Sequence, residues 1–178
     1  MLGTLLTCFA ATPALAATRS VAPGGANSGN CLTAPCGSLG YAYGQSAAGD
    51  VINVAAGSYP GQDVPAGSKA VTFQGGPGVT LRQLYSNASN VTYDRINIDA
   101  GGTNTNVSAL EIHGSGQTFK NASVGNVVDT KAATIVGANH TVDNVVFHDA
   151  VMKTEGTHSV LPLGPSTMKI GLLGSHAV

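Results

Sequence analysis

The sequence predicts an all-β fold in which three-stranded coils stack into a parallel β-helix. Three observations lead there. The composition favours strands and turns: charged residues are 10% of the chain, there are 24 glycines, Trp is absent, and Val, Thr, Ile and Asn are common. Short apolar alternations such as "AVTFQGG", "NVTYDRINID" and "ATIVGAN" are separated by Gly, Asn or Pro, and none is long enough for a helix. The chain also repeats itself. Residues 109–126 lie over 132–149 at a constant offset of 23, with Ile112 over Ile135, Gly114 over Gly137, Thr118 over Thr141, Phe119 over Val142, Asn121 over Asn144 and Val124 over Phe147. An earlier copy, carrying Thr92, Tyr93, Ile96 and Ile98, fits at an offset of 26, with the extra residues in the loop "AGGTNTN".

The pattern inside one copy shows what faces inward. Leu110 and Ile112 share a side, and so do Ala122 and Val124. Phe119 and Ala122 are three residues apart, which breaks alternation and places a corner at Lys120–Asn121. Asn tolerates the left-handed backbone that such a corner needs. Gly114 and Gly116 mark another corner. One unit of this kind cannot bury its apolar side, but units stacked in register can. The dense Leu pattern of a leucine-rich repeat and the six-residue period of a left-handed β-helix are both absent.

The elements follow in order. Residues 1–16 read as a signal peptide: an apolar run from Leu2 to Ala11 leads to Pro13, and Ala14 and Ala16 suit cleavage after Ala16. No Lys or Arg precedes the run, and a buried N-terminal helix is the competing reading. Residues 17–30, "ATRSVAPGGANSGN", read as a flexible linker. Cys8 lies in the leader, so Cys31 and Cys36 remain, and a disulfide between them is favoured in an exported chain; a metal would need further ligands, and none is close in sequence. A short cap helix follows, with Ser38 as its cap, Leu39, Ala42, Tyr43 and Ala47 on one face and Gly49 as its stop. The β-helix occupies residues 31–152, in coils of about 20–26 residues. Residues 153–178 read as an irregular or incomplete coil. Met168 and Ile170 fall at apolar positions there, but Thr167 stands where an Asn is expected, and Pro162 and Pro165 interrupt a strand position.

The run "CLTAPCGSLGYAYGQSAAGDVINVAAGSYPG", Cys31 to Gly61, resembles the N-terminal cap and first coil of secreted right-handed parallel β-helix proteins, the pectate-lyase-like superfamily. The shared features are a short Cys-bearing entry, a small cap helix, then Gly49-Asp50, the apolar strand Val51–Val54 and Gly57-Ser58-Tyr59. The resemblance extends to about residue 150 and implies a right-handed coil. Relatives run for several more coils, so against that pattern the chain reads as truncated at its C-terminus. The superfamily includes lyases, hydrolases, phage tailspikes and adhesins. It therefore implies an extracellular role in binding or processing polysaccharide; the alternative is a non-catalytic structural or adhesive surface protein. A calcium ion would enter by this resemblance alone, and the residues themselves suggest no cofactor.

Chemistry has few places to sit. Lyases of this kind use carboxylates for Ca²⁺ with an Arg or Lys base, and glycosidases use paired acids; neither arrangement is complete here. Glu111 and His113 point outward on one strand, and Asp129 and Lys131 lie in the loop "NVVDTK", giving four weak catalytic candidates. Asp99, at the end of its coil, and Arg95, standing where later copies have Asn, are binding candidates. The competing reading for Glu111, His113, Asp129, Lys131 and Asp99 is a solvated outer face, and for Arg95 that it simply starts the corner stack. Asp94, Lys120 and Asp143 align in successive copies as a charge ladder. His148 and Asp149 are adjacent and, as strand residues, face opposite ways, which argues against a metal site with His140. Five Asn-x-Ser/Thr triplets, at Asn87, Asn90, Asn106, Asn121 and Asn139, are expected by chance in Asn- and Thr-rich turns. The net charge of −1 and the lack of a basic run argue against nucleic acid as a partner. No segment after the leader is long and apolar enough to span a bilayer, and a monomer is expected.

Overall fold

The computed structural model describes residues 15–102, 108–128, 132–151 and 167–172, the last stretch and residues 150–151 through their backbone. After strand β1 (Thr18–Val21) and helix α1 (Leu39–Gln45), strands arrive in threes. The first coil is β2 (Val51–Val54), β3 (Gly57–Tyr59) and β4 (Gln62–Gly67); the second is β5 (Thr72–Gly75), β6 (Val79–Leu81) and β7 (Leu84–Ala88). The third is β8 (Thr92–Asp94), β9 (Asn97–Asp99) and β10 (Leu110–Ile112); the fourth is β11 (Thr118–Gly125), β12 (Val127–Val128) and β13 (Ala133–Ile135). Strands β14 (Thr141–Phe147), β15 (Ala150–Val151) and β16 (Thr167–Leu172) continue the stack. Every strand pair is parallel. The chain is a parallel β-helix.

The register follows the repeat. Thr72, Thr92, Thr118, Thr141 and Thr167 form one column, half-exposed where the side chain is described. Thr167 thus belongs to the threonine column rather than to the Asn position expected for it, while Met168 and Ile170 pair with Val142 and Val145. One residue further along, Ile52, Phe73, Tyr93, Phe119 and Val142 form the inward column. Phe73 and Tyr93 stack with ring centroids 5.2 Å apart, and Phe119 tilts against Tyr93 at 6.4 Å. The Tyr93 hydroxyl would be costly in this core unless bonded; it donates to Ser86 Oγ at 2.7 Å.

The corners are made by residues with left-handed backbone. Arg95 (φ 57°), Asn121 (φ 54°) and Asn144 (φ 52°) occupy the corner that breaks alternation after Phe119 and its equivalents. Their side chains form a polar ladder: Asn144 Nδ2 donates to Asn121 Oδ1 at 3.0 Å, and Asn121 Nδ2 donates to Asp94 Oδ1 at 2.9 Å. Lys120 Nζ lies 3.6 Å from Asp94 Oδ2, which realises part of the charge ladder.

The N-terminal end is closed by a cap. Helix α1 begins at Ser38, whose hydroxyl accepts from Tyr41 N, and it buries Leu39, Ala42 and Tyr43 against β1 and β4. It ends at Gln45 with Ser46 as C-cap, two residues earlier than expected from Ala47, which is exposed. The ammonium of Lys69 holds that end, donating to the carbonyls of Tyr43, Gly44 and Ser46. Cys31 and Cys36 form a disulfide. Their loop lies along the outer edge of β1, with Cys36 N donating to Ser20 O, and Ser20 N and Ala22 N donating to Cys31 O and Cys36 O. A strand edge is thereby covered.

Residues 17–30 were expected as a linker, and here the structure corrects the sequence for Thr18–Val21, which pair residue for residue with β2. Arg19 occupies an inward position and reads as polar in isolation. Its charge is met by Asp50, 31 residues away: Arg19 Nε donates to Asp50 Oδ2 at 2.9 Å, and both residues are buried. The Asp50 carboxylate also accepts from Ala17 N (2.8 Å) and Ala47 N (3.0 Å).

Two outcomes follow for stability. Asn121→Val places a β-branched residue at φ 54° and removes two rungs of the ladder; it should lower unfolding free energy by about 1–3 kcal/mol in urea denaturation, and Asn121→Gly by less. The carboxyls of Asp50 and Asp94 both lie below their ordinary value of 3.8: burial pushes each up, but backbone amides and Arg19 outweigh it at Asp50, and the Asn121 amide and Lys120 outweigh it at Asp94. The unfolded chain therefore takes up these protons first. The stabilisation they bring is present above pH 3.8 and is lost as pH falls through the lower folded values, so urea midpoints should be flat between about pH 5 and 7 and drop below pH 4.

Candidate functional site

The coils bring some of the sequence candidates together and separate others. Glu111 and His113 meet on the outer face of β10, with Glu111 Oε2 3.3 Å from His113 Nε2. The Tyr85 ring from the coil before stands 5.1 Å from the imidazole. The second carboxylate oxygen of Glu111 accepts from Ser108 N at 2.9 Å. Both oxygens are thus engaged, and the carboxylate braces the entry to its own strand. Asp129 and Lys131 lie outside the described residues. Arg95 points back along the stack: its Nε is 3.9 Å from Asp94 Oδ1, and with the Gln74 amide oxygen turned towards it the guanidinium donates to Gln74 at 2.6 and 3.1 Å. Arg95 therefore belongs to the corner ladder.

Asp99 is placed differently. It lines an open groove of about 350 Å³ with Ser58, Tyr59, Thr80, Arg82 and Gly101. The register explains the grouping. Leu81 pairs with Ile98, Ile98 with Val124 and Val124 with Phe147, so the next residues, Arg82, Asp99, Gly125 and His148, form one row along the stack. Asp99 Oδ1 accepts from Gly101 N (2.8 Å) and Asn126 Nδ2 (2.9 Å), which fixes the carboxylate. Arg82 is exposed and packs on Gly101, where a side chain would fall on its Nη1. The one hydrogen bond of its guanidinium among the described residues, to Ala100 O, is long at 3.4 Å, and Arg82 lines the groove.

The far end of the row is the part that sequence reasoning missed. His148 and Asp149 do not face opposite ways. Asp149 has φ 47° and turns the chain, and its Oδ2 meets His148 Nδ1 at 2.8 Å. The signal was present: Asp149 stands 23 residues after Asn126, which has φ 54°, so the repeat assigns Asp149 to a corner rather than a strand. The His148 ring lies over Gly125, where a Cβ would collide with it. With Asp149 on Nδ1, Nε2 has no partner among the described residues. His140, by contrast, is buried, with Nε2 3.1 Å from Val136 O.

These groups can bind and orient hydroxyl groups: a guanidinium, a fixed carboxylate and an imidazole–carboxylate pair, with Ser58 and Thr80 beside them. Among the described residues no three His, Cys, Asp or Glu side chains gather as metal ligands. Calcium needs six to eight oxygens, and the described residues gather no such set around Asp99, whose Oδ1 accepts from two amides. Among them, too, no helix is long and apolar enough to cross a membrane. Comparison with protein-family models, with curated proteins and with solved structures returns no match.

Gly125→Ala should displace the His148 ring. We expect a shifted imidazole Cε1–H resonance in NMR spectra and a stability loss below about 1 kcal/mol, because the half-exposed ring can swing aside.

Proposed function

We propose that this chain is an exported β-helix protein whose outer face binds an extracellular polysaccharide along the row Arg82, Asp99, Gly125, His148. The observation that carries the proposal is the groove at Arg82 and Asp99, at one end of a row that the strand register extends through Gly125 to His148. Coils repeat at about 4.8 Å, so a row of four spans an extended chain rather than one small molecule. Sugar hydroxyls suit its donors and acceptors. The disulfide and the signal-peptide pattern support export. The resemblance of Cys31–Gly61 to pectate-lyase-like caps supports a polysaccharide as the ligand. Along the row one cation, Arg82, stands against two carboxylates, Asp99 and Asp149. That balance favours a neutral glycan over a polyuronate.

A non-catalytic adhesive or structural role is the second reading. It is favoured by the engagement of Arg19, Asp50, Asp94, Arg95 and Glu111 in bracing the stack rather than in a reacting cluster.

A glycan-array and affinity-electrophoresis screen tests the first reading. Binding to a neutral β-glucan or mannan should exceed binding to polygalacturonate, and Arg82→Ala should weaken it about tenfold with circular dichroism unchanged. Retention of no polysaccharide would count decisively against it.

A further inference from the structure

We infer that cleavage after Ala16 makes a new N-terminal ammonium at Ala17 that pairs with the carboxylate of Asp50 and locks the cap onto the first coil. Three observations meet here. Ala14 and Ala16 form the small-residue pattern that a signal peptidase cuts. Ala17 N stands 2.8 Å from Asp50 Oδ1, the separation of a charge-assisted N⁺–H···O⁻ bond. The residues before the cut hold nothing in place: Leu15 is 95% exposed, and neither Leu15 nor Ala16 makes a hydrogen bond among the described residues. Ala17 stays anchored after cleavage, because its carbonyl accepts from Val51 N at 3.0 Å and Thr18 enters the sheet opposite Val51.

The step is a peptide hydrolysis by a signal peptidase. One water adds across the Ala16–Ala17 bond, Ala16 leaves as a carboxylate, and the Ala17 nitrogen becomes an amine that is protonated at neutral pH. A neutral amide donor is thereby replaced by an ammonium without moving its nitrogen. Asp50 is 2% exposed, so little water screens the pair. Its other oxygen is occupied by Arg19 Nε and Ala47 N, which leaves Oδ1 for the terminus. Ala17 is half-exposed, so the remaining ammonium protons reach solvent. The charged groups around the pair are Arg19 on β1 and Lys69 ahead of β5; Lys69 is turned onto the carbonyls of Tyr43, Gly44 and Ser46. Cleavage so placed would complete the fold as well as release the chain.

This inference rests on the export half of the proposed function. The full chain is expressed in an exporting host, and the N-terminus of the product is read by intact mass. The processed chain is then compared with the same chain after selective Nα-acetylation. The expected result is a terminus at Ala17 and a folding constant about tenfold larger with the free amine. The carboxylate raises the folded amine's pKa, so above about pH 5, where Asp50 is ionised, the gain should be complete up to about pH 7.7, the unfolded amine's value, and disappear as pH rises past the folded one. In Asp50→Asn, acetylated and free chains should match. Where that variant does not fold, the acetylation comparison in the parent chain decides. A chain that is never cut, or is cut elsewhere, overturns the inference together with export. A cut after Ala16 with equal stabilities of the free and acetylated chains overturns the inference alone.

Discussion

The structure depends on one constraint: successive coils must present the same residue types at the same height. A single coil has an apolar side three short strands wide and nothing to cover its two edges. Parallel pairing meets both needs at once, because each coil supplies the backbone partners and the apolar neighbours of the next. The columns Ile52–Phe73–Tyr93–Phe119–Val142 and Leu81–Ile98–Val124–Phe147 are the outcome. Slipping one coil by one residue would turn a core column outward and bring the threonine column in. The left-handed corners at Asn121 and Asn144 prevent such a slip, since few other residues hold φ near 50° without strain.

The same constraint shapes the site. A β-helix cannot vary its inner columns freely, but it tolerates different residues in an outer row. The row Arg82, Asp99, Gly125, His148 has a different residue at each step, while the threonine column beside the core repeats without change from Thr72 to Thr167. Gly125 gives the ring of His148 its room, and the turn at Asp149 aims the imidazole. The cap provides the complementary lesson. Arg19 is buried on a strand that faces the end of the stack, and its partner Asp50 opens the first coil, so the ion pair joins cap and solenoid.

Much of the fold was legible in the sequence because its signals are periodic. Thr118 and Thr141, Phe119 and Val142, and the two corner asparagines sit 23 residues apart in the chain and one rung apart in space. Ser38 as a helix cap and Cys31 with Cys36 were legible too, from local chemistry. What escaped was non-periodic. Thr18–Val21 is four residues long and carries an inward Arg, so nothing local marks it as a strand; its warrant is Asp50, 31 residues on. Helix α1 ends before Ala47 because Lys69, far along the chain, gathers its last carbonyls. The candidate site was legible in part. Asp99 was identified, and Glu111 was paired with His113. Arg82 stood out in neither charge nor spacing, and the His148–Asp149 pair was hidden by treating a corner as a strand.

The corner ladder has a polarity with a consequence for how such a molecule comes into being. Asn144 donates to Asn121 and Asn121 donates to Asp94, so the oxygen at each rung belongs to the coil made earlier and the hydrogen to the coil made later. Synthesis proceeds in that same direction. The coil made later thus supplies the donor to a coil made before it, and the first acceptor in the ladder is a full negative charge rather than an amide. The ladder is therefore directional: a later corner has no ladder partner until the coil before it is in place.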